Sequence, residues 1–401
     1  MSRLIAVVAC AALSASPARA QEASPAASAP AAGPDTTAER KALEEEIARR
    51  LGGAPAPAQP PAAAQTPPAT GGSPYARLLL LPDISAVGRA ALAYDSLDVG
   101  ALSPRSGTFG PQDEPAAVLE EVELGLQAVV DPYARADVFV AFGEEGAELE
   151  EAYLTTLALP AGLQLRAGKL FTPFGRLNAQ HPHQWEFADA PLARDRLLLD
   201  DGEVLSGAGF DLAWLAPVPW FLEVRVAGQD TIVAEEGPGA LTGLARLLQF
   251  FQLGEQTTLG VGLSAARRDE GRSAFRDLGG IDVYLKHRPL AGRAYASFQA
   301  ELYARRFRGV DRPTDVGGYA QAFFRRSAHL GYGVRFDSAP AAGEGDEGTE
   351  QRFSAIGAWF LSEFQRLRLQ VSYDRLPDGK DGVEALLHVE FGIGAHGAHP
   401  F

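Results

Sequence analysis

The sequence has one cysteine, Cys10, and one methionine in 401 residues. Because Cys10 lies in an N-terminal apolar run, the rest of the chain can form neither a disulfide nor a thiolate metal site. Basic residues are also scarce: 36 Lys and Arg face 51 Asp and Glu, and the formal net charge of -15 argues against a nucleic-acid partner.

Long apolar runs are absent as well. After the N-terminal segment no stretch approaches the about 18 consecutive apolar residues of a membrane helix, and the mean hydropathy is -0.07. A membrane-spanning chain of this composition must therefore cross with strands closed into a barrel, because only that arrangement satisfies every backbone polar group in lipid.

The N-terminus is typical of a secretory signal peptide over residues 1–20. Arg3 precedes the apolar run Leu4–Leu13, and a small-residue site, Ala18-Arg19-Ala20, follows it. The apolar run is shorter than the about 20 residues that a membrane anchor needs. We therefore expect cleavage after Ala20 rather than a retained helix.

Residues 21–74 are dominated by Ala, Pro, Gly, Ser and Gln, which predicts an extended periplasmic arm. A short helix over 38–51 interrupts it, with a capping box from Thr36 and Glu39. The helix has one apolar stripe, made of Leu43, Ile47 and Leu51. Two heptads leave two interpretations open, a marginal solvated helix or a short trimeric coiled coil.

From residue 75 to 401 the hydrophobic pattern has a period of two. In 294–305 the apolar positions Ala294, Ala296, Phe298, Ala300, Leu302 and Ala304 alternate with polar or amphipathic ones. Segments of this length match the about 9–11 residues of a tilted membrane strand. We predict sixteen strands, near 84–94, 117–130, 133–142, 147–159, 162–170, 204–216, 219–229, 241–252, 256–267, 278–287, 293–306, 316–326, 328–337, 351–362, 366–375 and 382–393.

The predicted connections alternate between short and long, as do the periplasmic turns and extracellular loops of outer-membrane barrels. The predicted fold is thus all-β, a transmembrane antiparallel barrel of about sixteen strands in the outer membrane with both termini in the periplasm. The third extracellular loop, 171–203, is too rich in apolar and aromatic residues for an exposed loop. We expect it to fold into the lumen and narrow the pore.

The candidate functional residues are charged and histidine side chains of this loop and of the lumen wall. The predicted constriction consists of Arg176, His181, His183, Glu186, Asp189, Arg194, Asp195 and Arg196. Strand parity predicts an inward wall of Glu121, Glu123, Asp137, Glu151, Arg305, Arg335, Arg366 and Arg368. Early strands are expected to be acidic inside and late strands basic, which would set a transverse field across the pore; the alternative is an ordinary polar lumen.

Histidine is a good ligand for Zn²⁺, so the two histidine pairs are weak candidates for a metal site. They are His181, His183, His396 and His399. We expect no cofactor, and a histidine that fixes the loop by packing or hydrogen bonding is the favoured interpretation. His329 and His388 are expected to be solvated in the lumen.

Several stretches resemble two known families. The run Arg166–Gly175, with Asp195-Arg196 closing the loop, resembles the entry to the constriction loop of phosphate-selective porins. The stretches 131–137, 150–153, 180–185 and 394–401 are similar to barrels labelled zinc-regulated TonB-dependent outer-membrane receptors. The resemblance covers roughly 84–401 and implies an outer-membrane location, with anion uptake or a link to metal supply. TonB-dependent receptors have about 22 strands and a plug, for which this chain is too short.

The sequence therefore predicts a porin-like channel for passive diffusion of small polar or charged solutes, with lipid and solutes as its partners. Trimerisation is an analogy with porins. The alternatives are a non-conducting structural or metal-linked receptor and, more remotely, a hydrolase. We do not expect an enzyme, since Ser297 and His329 match no hydrolase motif.

We expect the chain recovered from the outer-membrane fraction to begin at Gln21, because the signal peptidase prefers small residues before the cut. Intact-mass and N-terminal peptide measurements test this. A chain that retains residues 1–20 would show that the apolar run is an anchor.

Overall fold

A computed structural model describes residues 82–96, 116–144, 146–198, 205–231, 240–271, 274–290, 292–309, 313–341 and 348–394. The predicted signal peptide, the arm with its helix 38–51, and His396 and His399 lie outside the described residues. Among those described, no helix is both long and apolar enough to span a membrane.

The described chain forms a closed antiparallel barrel of sixteen strands in which each strand pairs with its sequence neighbours and β1 pairs with β16. The strands are β1 Asp83–Asp95, β2 Ala116–Asp131, β3 Ala134–Gly143, β4 Gly146–Thr156, β5 Leu163–Phe171, β6 Ser206–Leu215, β7 Phe221–Thr231, β8 Ala240–Gln252, β9 Thr257–Gly271, β10 Ala274–His287, β11 Tyr295–Arg308, β12 Asp315–Arg325, β13 Leu330–Pro340, β14 Thr349–Phe360, β15 Gln365–Arg375 and β16 Asp381–Gly394. All sixteen predicted strands are confirmed, including the poorly alternating 241–252.

The period-two pattern separates the two faces of the wall. On β11 the apolar residues Phe298 and Leu302 are 41% and 52% exposed on the outside, whereas Glu301 and Tyr303 are buried inside. The same division recurs around the barrel. The outer surface is therefore an apolar belt and the interior is lined with polar and charged groups.

Four register shifts interrupt the described strand pairing, and two of them, one on β2 and one on β4, are β-bulges that add a glutamate. On β2, Arg89 of β1 pairs with Glu121 while Ala90 pairs with Leu119, so that Glu120 is the extra residue. On β4 the extra residue is Glu150, between the partners of Phe139 and Val140. A bulge places two consecutive residues opposite one, and the sequence pattern did not predict that the carboxylates of Glu120 and Glu150 turn inward.

The connections alternate less strictly than predicted. The connection between β9 and β10 was expected to be a long loop over 268–277, but the strands extend to Gly271 and Ala274. The polar residues there belong to paired strands, joined on the outside by ion pairs of Asp277 with Arg267 (2.7 Å) and with Arg308. Polar residues in the parts of β9 and β10 that extend beyond the apolar belt therefore resemble a loop in the sequence, although they are paired strand residues.

The outward position of Leu302 leads to a test of the lipid-facing belt. Leu302→Arg is expected to reduce the free energy of unfolding in lipid vesicles by about 2–4 kcal/mol, because a cation at mid-bilayer depth is poorly solvated. The control is Leu290→Arg in the β10–β11 turn, where Leu290 is 73% exposed and the cost should be about 0–1 kcal/mol. Equal effects at the two positions would contradict a membrane-embedded belt.

Candidate functional site inside the barrel

Residues 172–198 leave the end of β5 and lie inside the barrel; we call them the inner segment. They contain two short 3₁₀ turns, Leu177–Ala179 and Pro182–Gln184, and one short helix, α1, Leu192–Leu197. Most of the apolar side chains of the segment are buried in one cluster with wall residues, while Phe187 and Ala188 are buried in two smaller ones. The segment contributes Phe174, Leu177, Trp185, Ala190, Leu192, Ala193, Leu197 and Leu198 to the large cluster. This packing explains why a connection so apolar in sequence is not solvent-exposed.

The first contact of the inner segment with the far wall is made by Glu301 on β11. Its carboxylate accepts the backbone N–H groups of Arg176 (2.8 Å) and Leu177 (2.9 Å). Gly175 has φ +63°, and a Cβ there would lie 2.3 Å from a Glu301 oxygen, so glycine permits this approach. The Arg176 guanidinium lies 3.8 Å from the ring centre of Tyr284.

The next contact is with the opposite part of the wall, at His181. Its Nδ1 lies 2.9 Å from Glu123 Oε2 and 3.4 Å from Glu150 Oε2, and its Nε2 lies 2.9 Å from Glu151 Oε2. His183 Nδ1 lies 3.3 Å from the same Glu123 oxygen. Burial alone would lower the pKa of His181, but the three carboxylates raise it well above the usual histidine value.

The third contact joins Asp189 to the late strands. The buried Asp189 carboxylate accepts from Arg335 (2.8 Å), Arg352 (2.7 Å) and Gln370 (2.6 Å). Burial would raise the pKa of Asp189, but the two guanidinium groups outweigh it and the net shift is downward. Nearby, Glu186 accepts the hydroxyl of Ser297 at 2.7 Å, so the serine considered for a hydrolase is part of this attachment.

Several wall arginines donate to carbonyl groups of the inner segment, among them Arg335 to that of Asp189 at 3.0 Å. Arg368 donates to the carbonyls of Trp185 (3.0 Å) and Phe187 (2.8 Å), and Arg366 also donates to the carbonyl of Trp185, at 3.0 Å. Arg305 donates to the carbonyl of Arg196 at 2.7 Å. These predicted wall cations therefore hold backbone in place rather than simply facing an open lumen.

The last predicted loop charges lie on α1. Arg194 lies 3.3 Å from Asp195 and 5.0 Å from the ring centre of Trp185, and Arg196 pairs with Glu350 at 2.9 Å. The structure thus brings all eight predicted constriction residues inside the barrel, where most are buried against the wall. Their role as a constriction stays a prediction.

The expected division into an acidic early wall and a basic late wall is only half right. The early strands do concentrate carboxylates at Glu120, Glu121, Glu123, Asp137, Glu150 and Glu151. On the late strands, however, Arg335 pairs with Asp337 at 2.7 Å and Arg352 pairs with Asp374 at 2.6 Å. The late wall is not simply basic because buried cations need carboxylate partners. The strand pattern alone did not predict these pairs.

The prediction that His388 is solvated is wrong. Its ring is fully buried, with Nδ1 3.0 Å from Arg368 and Nε2 3.1 Å from Glu120. The bulge on β2 turns Glu120 inward and supplies a partner that the alternation pattern did not predict. His329 is exposed, and its Nδ1 lies 2.9 Å from the carbonyl of Phe360.

A cavity of 660 Å³ opens at the barrel end that carries the even-to-odd turns; we call it the basic vestibule. Its charged lining comprises the cations Lys286, Arg288, Arg293, Arg325 and Arg366 and the carboxylates Glu363 and Glu390, with His183 and His329 beside them. Sequence reasoning missed this site. The sequence feature that could have indicated it is the group of basic residues in 286–293, beside one short turn.

Comparison with solved structures places this fold among outer-membrane porins. An anion-selective porin from Comamonas acidovorans matches 78% of this chain and 99% of its own, with a TM-score of 0.55 and 10% identity. The outer membrane channel DcaP of Acinetobacter baumannii matches with a TM-score of 0.52 and 12% identity over 78% of this chain and 97% of its own. At these identities the likeness defines the fold class, a sixteen-stranded porin-like barrel.

Sequence comparison finds a relative with higher sequence identity than these solved structures. An uncharacterized protein of Aquifex aeolicus (strain VF5) is 30% identical over 390 residues, covering 82% of each chain. The chain belongs to the same family as that protein. No family model matches the sequence.

The contacts of Asp189 lead to a test of how the inner segment is held. Asp189→Ala should lower the free energy of unfolding by about 3 kcal/mol, because it removes the carboxylate that Arg335 and Arg352 share and leaves Arg335 with Asp337 and Arg352 with Asp374 and the more distant Glu384. The measurement is urea unfolding in lipid vesicles. The control is Asp378→Ala, which removes an exposed ion pair and a turn hydrogen bond with Lys380 and should cost about 1 kcal/mol or less. An unchanged stability of the Asp189 variant would contradict the anchoring role.

Proposed function

We propose that this protein is an outer-membrane channel through which small polar or charged solutes diffuse passively. One observation carries the proposal: a closed sixteen-strand barrel has an apolar outer belt, a charged interior, and an inner segment that contacts β2 and β4 on one side and β11, β13 and β14 on the other. A segment that reaches both sides of a polar lumen narrows the path through it, and the side chains that remain accessible then select among solutes.

The orientation that we propose follows from the lengths of the connections. The long connections that follow β1 and β5 start at one end of the barrel, whereas the short even-to-odd turns join strands at the other end. In outer-membrane barrels the longer loops are extracellular and the short turns periplasmic. The basic vestibule would then open to the periplasm, with both chain termini on that side.

The charge of the vestibule favours anions over cations as permeating ions. Its lining has five Lys and Arg side chains and two carboxylates, and a ring of cations at a narrow opening attracts anions and repels cations. A similar barrel named an anion-selective porin shares the fold with this chain, while the support for anion preference comes from the vestibule itself.

The structure offers no comparable support for phosphate selectivity. Phosphate would require a series of cations free to bind it, whereas Arg335, Arg352 and Arg366 each lie within 2.7 Å of a carboxylate oxygen. Sixteen strands also differ from the about 22 of energised receptors. A trimer remains an analogy, which one similar structure, described as the trimer form of OmpT of Vibrio cholerae, illustrates.

Recording in planar bilayers tests both the channel and its preference. We expect the refolded protein to conduct, with a reversal potential in a KCl gradient that indicates anion preference. Arg288→Glu with Arg293→Glu should shift that potential toward cations, because two cations of the vestibule become anions. These positions are better suited than Arg366 and Arg368, which hold the inner segment.

The matched control is Lys380→Glu, an exposed cation in the β15–β16 connection at the opposite end of the barrel. It should leave the reversal potential nearly unchanged. Failure of the refolded barrel to conduct would favour the structural, non-conducting alternative. Conduction with no shift in the double variant would refute the role of the vestibule.

A further inference from the structure

Three side chains from separate parts of the chain converge inside the early half of the barrel: Glu123 of β2, Glu150 of the β4 bulge and His181 of the inner segment. One ligand atom from each lies within 4.8 Å of the other two. His181 Nδ1 is 2.9 Å from Glu123 Oε2 and 3.4 Å from Glu150 Oε2. The His183 ring is stacked against His181 with a centroid separation of 5.7 Å, and its Nδ1 is 3.3 Å from Glu123 Oε2.

These three atoms are buried and lack ordinary hydrogen bonds. In the described part of the chain, Glu123 Oε2, Glu150 Oε2 and His181 Nδ1 make no hydrogen bond of normal geometry. The side chains of Glu123 and His181 are only 4% and 5% exposed. Two buried carboxylate oxygens turned toward one imidazole nitrogen repel each other unless a cation lies between them.

A second carboxylate orients the imidazole. His181 Nε2 lies 2.9 Å from Glu151 Oε2, while the other oxygen of Glu151 accepts the backbone N–H of Phe171 at 2.7 Å. When Nε2 carries the proton and donates it to Glu151, the lone pair of Nδ1 faces Glu123 and Glu150. Histidine ligands of metals are commonly held in this way, with the distal N–H donated to a carboxylate.

We propose that Glu123, Glu150 and His181 bind a divalent transition-metal ion, with the fourth coordination position open to a solvent molecule. Metal–ligand distances of about 2.0–2.2 Å in a tetrahedral zinc site place the ligand atoms about 3.4 Å apart, close to the separations found here. A donor set of imidazole nitrogen and carboxylate oxygen suits Zn²⁺ and neighbouring first-row ions better than Mg²⁺ or Ca²⁺, which prefer oxygen alone.

Bound there, the metal would tie the inner segment to β2 and β4, opposite the contact that Glu301 makes from β11. It would also neutralise part of the carboxylate cluster on the early strands. The site does not depend on the proposed channel function, because a barrel that conducts nothing could still bind the ion.

The test is equilibrium dialysis of the full refolded chain, first stripped with a chelator, against Zn²⁺. We expect one Zn²⁺ per chain. His181→Asn and Glu123→Gln should abolish stoichiometric binding, and Glu151→Gln should weaken it by about 10- to 100-fold through loss of the orienting hydrogen bond. Glu148→Gln, near the start of the same strand and 70% exposed, and His287→Asn, at an exposed site, are the controls and should bind like the parent chain.

Two measurements keep the result interpretable. Each variant is checked for the heat-modifiable electrophoretic band of a closed barrel, and Co²⁺ bound to the unaltered chain should show the intense d–d absorption of a four-coordinate site. Absence of stoichiometric binding to the unaltered chain, or binding that survives both His181→Asn and Glu123→Gln in folded barrels, would overturn the proposal. The cluster would then be neutralised by a proton on His181 instead.

Discussion

The buried peptide groups of the inner segment impose the constraint on which the rest of the interior depends. A chain that lies inside a barrel without long regular structure must find partners for its N–H and C=O groups, since an unpaired buried group costs about as much as a lost hydrogen bond. The wall supplies them from two directions. Glu301 accepts the N–H groups of Arg176 and Leu177, and Arg366 and Arg368 donate to the carbonyls of Trp185 and Phe187. Acceptors on β11 and donors on β15 therefore fix the path of the segment.

This constraint changes which of the charges inside the barrel can contribute to solute selectivity. A lumen lined with Arg and Glu suggests a selectivity filter, but many of these groups are already engaged in holding the segment or one another, as Asp189 is by Arg335 and Arg352. A charge buried in an ion pair contributes little to the potential that a passing solute meets. Selectivity must then depend more on charges at an accessible surface. In the described structure the basic vestibule is the clearest such surface, with Arg288 and Arg293 beside a turn and Lys286 and Arg325 at the strand ends.

The barrel could be predicted from sequence because each strand carries its own evidence. Alternation such as that of 294–305 is local, and an outer face in contact with lipid requires it at every second residue. The contacts of the interior depend on partners far away in the chain. His388 was predicted to be solvated because its neighbours in sequence do not indicate its contact with Glu120. A bulge turns Glu120 inward and makes that contact possible. Extra residues such as Glu120 and Glu150 break the period that identified the strands. The long loop was predicted to fold inward on composition alone. Its route depends on Glu301, which accepts its backbone N–H groups, and on the ion pairs of Asp189 with Arg335 and Arg352, which only the three-dimensional structure shows.

The bulges on β2 and β4 also explain why the early wall has more inward carboxylates than cations, whereas arginine and carboxylate are paired on the late wall. Each bulge turns consecutive glutamates inward, so that five glutamates of β2 and β4 share a small region. On the late strands arginine and carboxylate alternate within pairs, as in Arg335 with Asp337. On the early strands Arg89 lies 2.5 Å from Glu120 and 3.0 Å from Glu121, which leaves Glu123, Glu150 and Glu151 facing histidine. A protonated His181, which lies against all three carboxylates, provides a single positive charge for them, whereas a divalent ion provides two. That difference in charge, together with the convergence of ligand atoms from three chain segments, makes the early wall the place in this barrel where a metal would contribute most to holding the inner segment.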